Sequence, residues 1–185
     1  MKRVLVYCGA AAGHDPHFIA AAYGFGHAVA ERGWGIIYGG HHAGMMGAVA
    51  QGCRKGGGLV TGILPDVLKG KEQPPEGIEL VRVADMHARK TLMVQRCAAM
   101  VALPGGYGTL DELFEQLTWR VIGLHDKPVA MFDVVVDGVS YWAPLLAFLD
   151  HATRAGFVKE TARALPIVDD DAGRLLDRIG VIKAP

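Results

Sequence analysis

Residue types suited to chemistry concentrate in two short stretches. Gly105-Gly106-Tyr107-Gly108-Thr109 places three glycines where an apolar run ends and a helical pattern begins. Glycine lets a backbone approach a ligand closely, and a helix N-terminus offers unpaired N–H groups with a partial positive charge, so this turn suits a phosphate. Upstream, Arg89 and Lys90 fall in the first turns of a helix that Asp85 is placed to cap. Positive charge there opposes the helix dipole by about 0.3 to 1 kcal/mol, which a nearby anion would offset. Downstream of the glycines, Asp111, Glu112 and Glu115 crowd the start of the next helix. Glu112 and Glu115 share a face, and either could direct a water at a substrate held by its phosphate.

Each feature also has a structural explanation. Thr109 and Glu112 match a T-x-x-E capping box, and carboxylates favour a helix start whatever the function. Arg89 and Lys90 could be surface charges with snorkelling stems, although Lys90 stands in line with Met86, Met93, Val94 and Cys97 on a stripe expected to face inward. Eight histidines raise the question of a metal. None forms H-E-x-x-H, and adjacent His41 and His42 point apart on regular structure, so no metal is expected. His87, beside Arg89, is the histidine best placed to line a pocket.

Other nucleotide chemistries lack their signatures. There is no G-x-x-x-x-G-K-[ST], and no G-x-G-x-x-G follows a strand. Ile36-Ile37-Tyr38-Gly39-Gly40 brings no acidic residue for a dinucleotide ribose. A monophosphate fits better than NAD or ATP, and no cofactor is expected.

The elements that must position these residues alternate along the chain. Val4–Cys8, Gly35–Tyr38, Leu59–Leu64, Leu80–Val83, Met100–Leu103 and Val129–Phe132 read as strands. Helices are expected from Asp15-Pro16 to Arg32, from Gly44 to Lys55, after Asp85 and after Thr109. In the last of these Leu110, Leu113, Phe114, Leu117, Val121 and Leu124 form a stripe predicted to be buried. A helix from Ser140 to about Ala155, a short strand near Leu165–Val168 and a helix from Asp170 to Ile179 complete the pattern. Near-continuous apolar strands alternating with helices predict an α/β fold, a doubly wound, Rossmann-like parallel sheet forming one domain over residues 1–185. Glycine-rich turns after the first, second and Met100–Leu103 strands would share its carboxyl edge, where a ligand crevice is expected. The Pro65–Gly77 stretch is a candidate lid or interface.

Composition narrows the partners. Lysine plus arginine equals aspartate plus glutamate at 19 each, so no overall field favours nucleic acid or an anionic membrane. Cys8, Cys53 and Cys97 are widely spaced without a C-x-x-C pair, which fits a reducing compartment, and no apolar run approaches a membrane span. A cytoplasmic location is expected.

Met86-His87-Ala88-Arg89-Lys90 followed by Pro104-Gly105-Gly106-Tyr107-Gly108-Thr109-Leu110-Asp111-Glu112 resembles the paired M-H-x-R-K and P-G-G-x-G-T-x-x-E motifs of the Lonely Guy (LOG) family. These are cytokinin riboside 5′-monophosphate phosphoribohydrolases, often labelled lysine decarboxylase-like. The likeness extends through Tyr38-Gly39-Gly40, Gly44-Met45-Met46-Gly47, Thr118-Trp119, Lys127-Pro128-Val129 and Gly156-Phe157. It implies Arg89 and Glu112 as the catalytic pair, Lys90 assisting, and Gly105, Gly106, Gly108 and Thr109 holding phosphate. Met86, Tyr107, Leu110, Asp111, Thr118 and Glu72 are implied as further substrate contacts, and a homodimer as the assembly. The implied reaction hydrolyses the N-glycosidic bond of AMP or an N6-substituted AMP. The alternative is a non-catalytic nucleotide-binding protein with the same phosphate cradle. Two departures stand out: Ala10-Ala11-Ala12 where the family usually carries serines, and His41-His42-Ala43 where a third glycine is usual.

Overall fold

A computed structural model describes residues 1–68 and 77–181. Glu72 and most of the Pro65–Gly77 stretch lie outside the described residues. The element order is β1 (Arg3–Tyr7), α1 (Pro16–Glu31), β2 (Gly35–Tyr38), α2 (Gly44–Lys55), β3 (Val60–Pro65), β4 (Glu79–Val83), α3 (Met86–Arg96), β5 (Ala99–Ala102) and α4 (Tyr107–Val121). It continues through β6 (Val129–Phe132), β7 (Val135–Val136), β8 (Val139–Ser140), α5 (Ala143–Arg154), α6 (Glu160–Arg163), β9 (Ile167–Asp169) and α7 (Ala172–Val181). Seven strands form one parallel sheet in the order β4-β3-β2-β1-β5-β6-β9. The order reverses at β1, whose two neighbours are β2 and β5.

Alternation along each strand feeds two cores. Val4 and Val6 pack with Phe25, Val49 and Leu176 under α1, α2 and α7. Leu5 and Tyr7 pack with Met93, Leu113 and Trp142 under α3, α4 and the start of α5. The result is the expected doubly wound α/β architecture, with helices on both faces. Asp15 caps α1 by accepting from the His17 N–H at 2.8 Å, with Pro16 at the first helical position. Helices α1 and α2 touch backbone to backbone: a Cβ on Gly26 would strike the Val49 carbonyl, and one on Gly52 the Tyr23 carbonyl.

Three expectations need correction. Helix α4 starts at Tyr107, with Gly106 as its N-cap, so Thr109 lies inside the helix and the Thr109–Glu112 capping box does not form. The α4 stripe is buried only at Leu113; Val121 is 53% and Leu124 65% exposed. The β7–β8 hairpin and α6 went unread. The hairpin turns on Asp137 and Gly138, both at positive φ, which is the demand of a two-residue type I′ loop.

Candidate active site

The loops at the carboxyl ends of β1, β2 and β5 are tied into one rim by backbone hydrogen bonds. Gly9 N–H donates to the Pro104 carbonyl at 3.0 Å, and Met45 and Met46 N–H donate to the Ala11 and Gly9 carbonyls at 3.3 Å each. Gly44, at φ +59°, lies so close to the Ala10 carbonyl that no side chain fits. Within the rim is a cavity of about 510 Å³ at the β1–β5 reversal, the place where open α/β sheets bind ligands.

The glycine turn forms one side of it. Gly105 is glycine for packing, since a Cβ would run into Thr109 Oγ1 and approach Gly9 N to 2.8 Å. Gly106 and Gly108 have no such reason. A Cβ on either meets nothing within 4 Å, and neither has a positive φ. Both line the cavity. No side chain caps α4, and its first turn closes with Leu110 N–H donating to the Gly106 carbonyl at 3.0 Å. The N–H groups of Tyr107, Gly108 and Thr109 therefore lie at an uncapped helix start beside open space, an arrangement suited to an oxyanion.

Arg89 and Glu112 also line the cavity. Arg89 is 8% exposed on α3. Its Nε donates to the Ile63 carbonyl at 3.0 Å and Nη2 to the Gly39 carbonyl at 3.3 Å, which leaves Nη1 in a long contact with Met86 Sδ at 3.9 Å. A Cβ on Gly39 would collide with that guanidinium. The carbonyls orient the cation without neutralising it. Glu112 is pushed up to about 7: burial raises it, outweighing the Arg89 and Lys90 charges, while Asp111 and Glu115 raise it further. Such a carboxyl exchanges its proton near neutral pH, as an acid-base group must. Cys8 also lines the cavity, but burial drives its thiol far above its ordinary value and keeps it neutral.

The other anticipated residues lie elsewhere. Lys90 Nζ bonds Asp111 Oδ2 at 2.7 Å and Glu115 Oε1 at 3.3 Å, tying α3 to α4 beside the catalytic candidates. Glu115 is therefore engaged with Lys90, while Glu112 faces the cavity. Tyr107 is 94% and Met86 42% exposed, and Leu110 packs against the core. Thr118 lines a separate groove with Phe114, Leu117 and Phe157. His87 is exposed on α3 and forms no part of the cavity wall. Phe18, Met45, Met46 and Tyr141 also line the walls; sequence reasoning gave no site role to any of them, and Met45 and Met46 entered only within the Gly44–Gly47 likeness.

A family model described as "Possible lysine decarboxylase" matches residues 46–179. Among curated relatives, cytokinin riboside 5′-monophosphate phosphoribohydrolase LOG3 of Arabidopsis thaliana is 41% identical over 96% of this chain and 81% of its own length. A probable enzyme of the same name from rice, LOGL9, is 42% identical over 96% of this chain and 77% of its own. Similar solved structures include a molybdenum cofactor binding protein of Rippkaea orientalis, with a TM-score of 0.71, 22% identity and 98% of both chains covered. The molybdenum cofactor carrier protein of Chlamydomonas reinhardtii also scores 0.71, at 19% identity and 97% of both chains. These two carry the fold alone. With paired motifs, a family match across most of the chain and identities near 40% over nearly all of it, the chain belongs to the LOG family.

Proposed function

We propose that this chain, acting as one domain, hydrolyses the N-glycosidic bond of a nucleoside 5′-monophosphate, AMP or an N6-substituted AMP, to the free base and ribose 5-phosphate. The observation that carries the reading is one cavity in which two glycines the fold does not need stand beside a buried arginine and a carboxyl poised near pH 7. The names of the curated relatives support the same reaction class.

The phosphate takes the α4 N-terminus, with Gly105 shaping the turn and Gly106, Gly108 and Thr109 around the oxygens. The C1′–N bond breaks with its electron pair leaving on the base, and oxocarbenium character develops on the ribose. Glu112, as carboxylate, stabilises that charge and orients water, whose hydroxyl ends on C1′ and whose other proton ends on the base. Arg89 Nη1 stabilises negative charge on the departing base. Lys90 holds the two helices in register from outside. Incubating the protein with a panel of nucleoside monophosphates and separating the products should give base and ribose 5-phosphate in equal amounts. Tight nucleotide binding without base release would leave a binding protein and overturn the proposal.

The decarboxylase description of the family model finds no support in Lys90. Burial pulls its ammonium pKa down, but hydrogen bonds and charge from Asp111 and Glu115 outweigh this and hold it above its ordinary value. A Schiff-base lysine needs the opposite shift.

The assembly we infer is a homodimer. Support comes from the apolar surface left on α4 and its neighbours: Val121, Ile122, Leu124, Phe148 and Phe157 are each more than half exposed. Exposed apolar surface of this kind suits a two-fold contact with a second copy. Thr118 lies in the groove within this surface, so a contact with substrate would have to come through the assembled pair. Sedimentation should give twice the 19.7 kDa chain mass; a monomer at high micromolar concentration would refute the dimer. Three buried, unpaired cysteines are consistent with the cytoplasm. Among the described residues no helix is long and apolar enough to cross a membrane.

A further inference from the structure

Tyr141 lies far in sequence from the glycine turn but is bound to it. Its hydroxyl donates to the Gly105 carbonyl at 2.6 Å and accepts from the Gly105 N–H at 3.3 Å, so one phenol engages both sides of a single residue. The backbone that carries it is fixed independently. Tyr141 N–H donates to the Val134 carbonyl at 3.2 Å, Trp142 N–H to Asp133 Oδ1 at 3.1 Å, and Ser140 Oγ to Asp133 Oδ2 at 2.5 Å. Trp142, 1% exposed, anchors the next position through Nε1 to the Phe132 carbonyl at 3.0 Å. The Tyr141 ring stands edge-on to Trp142, with centroids 4.8 Å apart, and to Phe18 at 5.8 Å. Phe18 in turn lies against Gly13, where a Cβ would come within 2.7 Å of its ring.

A turn rich in glycine is the least rigid way to present N–H groups, because each glycine adds backbone freedom that binding must remove. Here a Cβ on Gly106 or Gly108 would meet nothing within 4 Å, and the Gly106 carbonyl is held from within the helix by the Leu110 N–H, so Gly105 is where a side chain from outside the turn takes hold of it. We propose that Tyr141 is a positioning residue for the phosphate site: its phenol locks the Gly105 peptide, sets the entry angle into α4 and so preorganises the N–H groups that receive phosphate. With Phe18 it braces the β1 loop and the β5 loop against each other across the cavity mouth. Because the Gly105 N–H is already engaged by the phenol, the anion's donors are those that follow it. The proposal rests on the reading of Gly105–Thr109 as the phosphate cradle.

Tyr141→Phe keeps the ring and both edge contacts and deletes one hydroxyl at a part-exposed position, so the fold is retained. The test compares kcat/KM for AMP and for adenosine, and inhibition by ribose 5-phosphate, in wild type and variant. Loss of the paired hydrogen bonds should lower kcat/KM for AMP about tenfold and weaken ribose 5-phosphate inhibition by a similar factor, with a much smaller loss on adenosine. Equal losses on AMP and adenosine would mean general loosening and would overturn the proposal, as would unchanged AMP kinetics and inhibition. A wild type that shows neither a preference for AMP nor inhibition by ribose 5-phosphate overturns the cradle itself. A preference present in the wild type and intact in Tyr141→Phe removes Tyr141 alone.

Discussion

Glu112→Gln should lose roughly 10² to 10⁴ in kcat, the usual scale for an acid-base group, while gaining stability at neutral and alkaline pH. Glutamine fills the same space, and no capping box depends on this side chain because α4 begins at Tyr107. The stability effect follows from the carboxyl's position near 7 against an ordinary 4.5. Folding raises that value, so in the wild type the native state is favoured by protonation below about 4.5 and loses that advantage as pH rises towards 7. Glutamine does not titrate, so above pH 7 the variant should exceed wild type by an amount of the order of 1 to 3 kcal/mol, seen as a higher Tm that disappears at pH 4. Activity supplies the matching signature. Because the carboxylate is the working form, wild-type kcat/KM should rise with pH through a limb near 7, separate from the substrate phosphate's own ionisation at about 6. Glu112→Gln should lose only the first. Near-wild-type base release at saturating substrate would remove the catalytic assignment and leave the phosphate site standing.

The second large effect is expected from the substrate itself. AMP should be cleaved with a kcat/KM on the order of 10² to 10⁴ times that of adenosine. Two charge-assisted hydrogen bonds at the α4 N-terminus, each worth about 1.5 to 3 kcal/mol, supply a discrimination of that size. Gly108→Ala isolates the cause. Alanine inside a helix stabilises it by about 0.5 to 1 kcal/mol relative to glycine, and the new Cβ meets no protein atom within 4 Å. The variant should therefore melt slightly higher, yet lose at least tenfold on AMP because the methyl group occupies the room left for phosphate. Parallel titration of both substrates checks it; equal cleavage of adenosine and AMP by the wild type would refute the assignment.

Much of this site could be read from residue spacing because its parts are local. A glycine turn between a strand and a helix, an Asp85 cap and the Arg89-Lys90 pair are encoded within a few residues of one another, and strand alternation brings them to one sheet edge. Two kinds of feature escaped. The α4 start was misplaced because Thr109 and Glu112 imitate a capping box, whereas Gly106, which has no side chain to cap with, begins the helix. Tyr141 escaped because its partner is 36 positions away and the hairpin before it went unread, with a helix expected from Ser140. The Asp137-Gly138 pair between valines was the available signal for that hairpin. The α4 stripe shows the limit of periodicity: it identifies an apolar face but does not say whether the same chain covers it.

The backbone contact between α1 and α2 constrains how this pocket can evolve. Where two helices meet through Gly26 and Gly52, no interposed side chain can be trimmed to let them move, and any enlargement drives a Cβ into a carbonyl. Helix α2 carries Met45 and Met46 into the cavity wall at its first turn, so that wall cannot retreat as a rigid body. Among the described residues, room for a bulkier base would come from side chains on the wall, above all the unbranched thioether chains, which can adopt other rotamers, and from the short exposed lip at Ala10 and Ala11. On the proposed function, substitutions that broaden the substrate range should therefore fall at those side chains on the cavity wall rather than in the helices behind them.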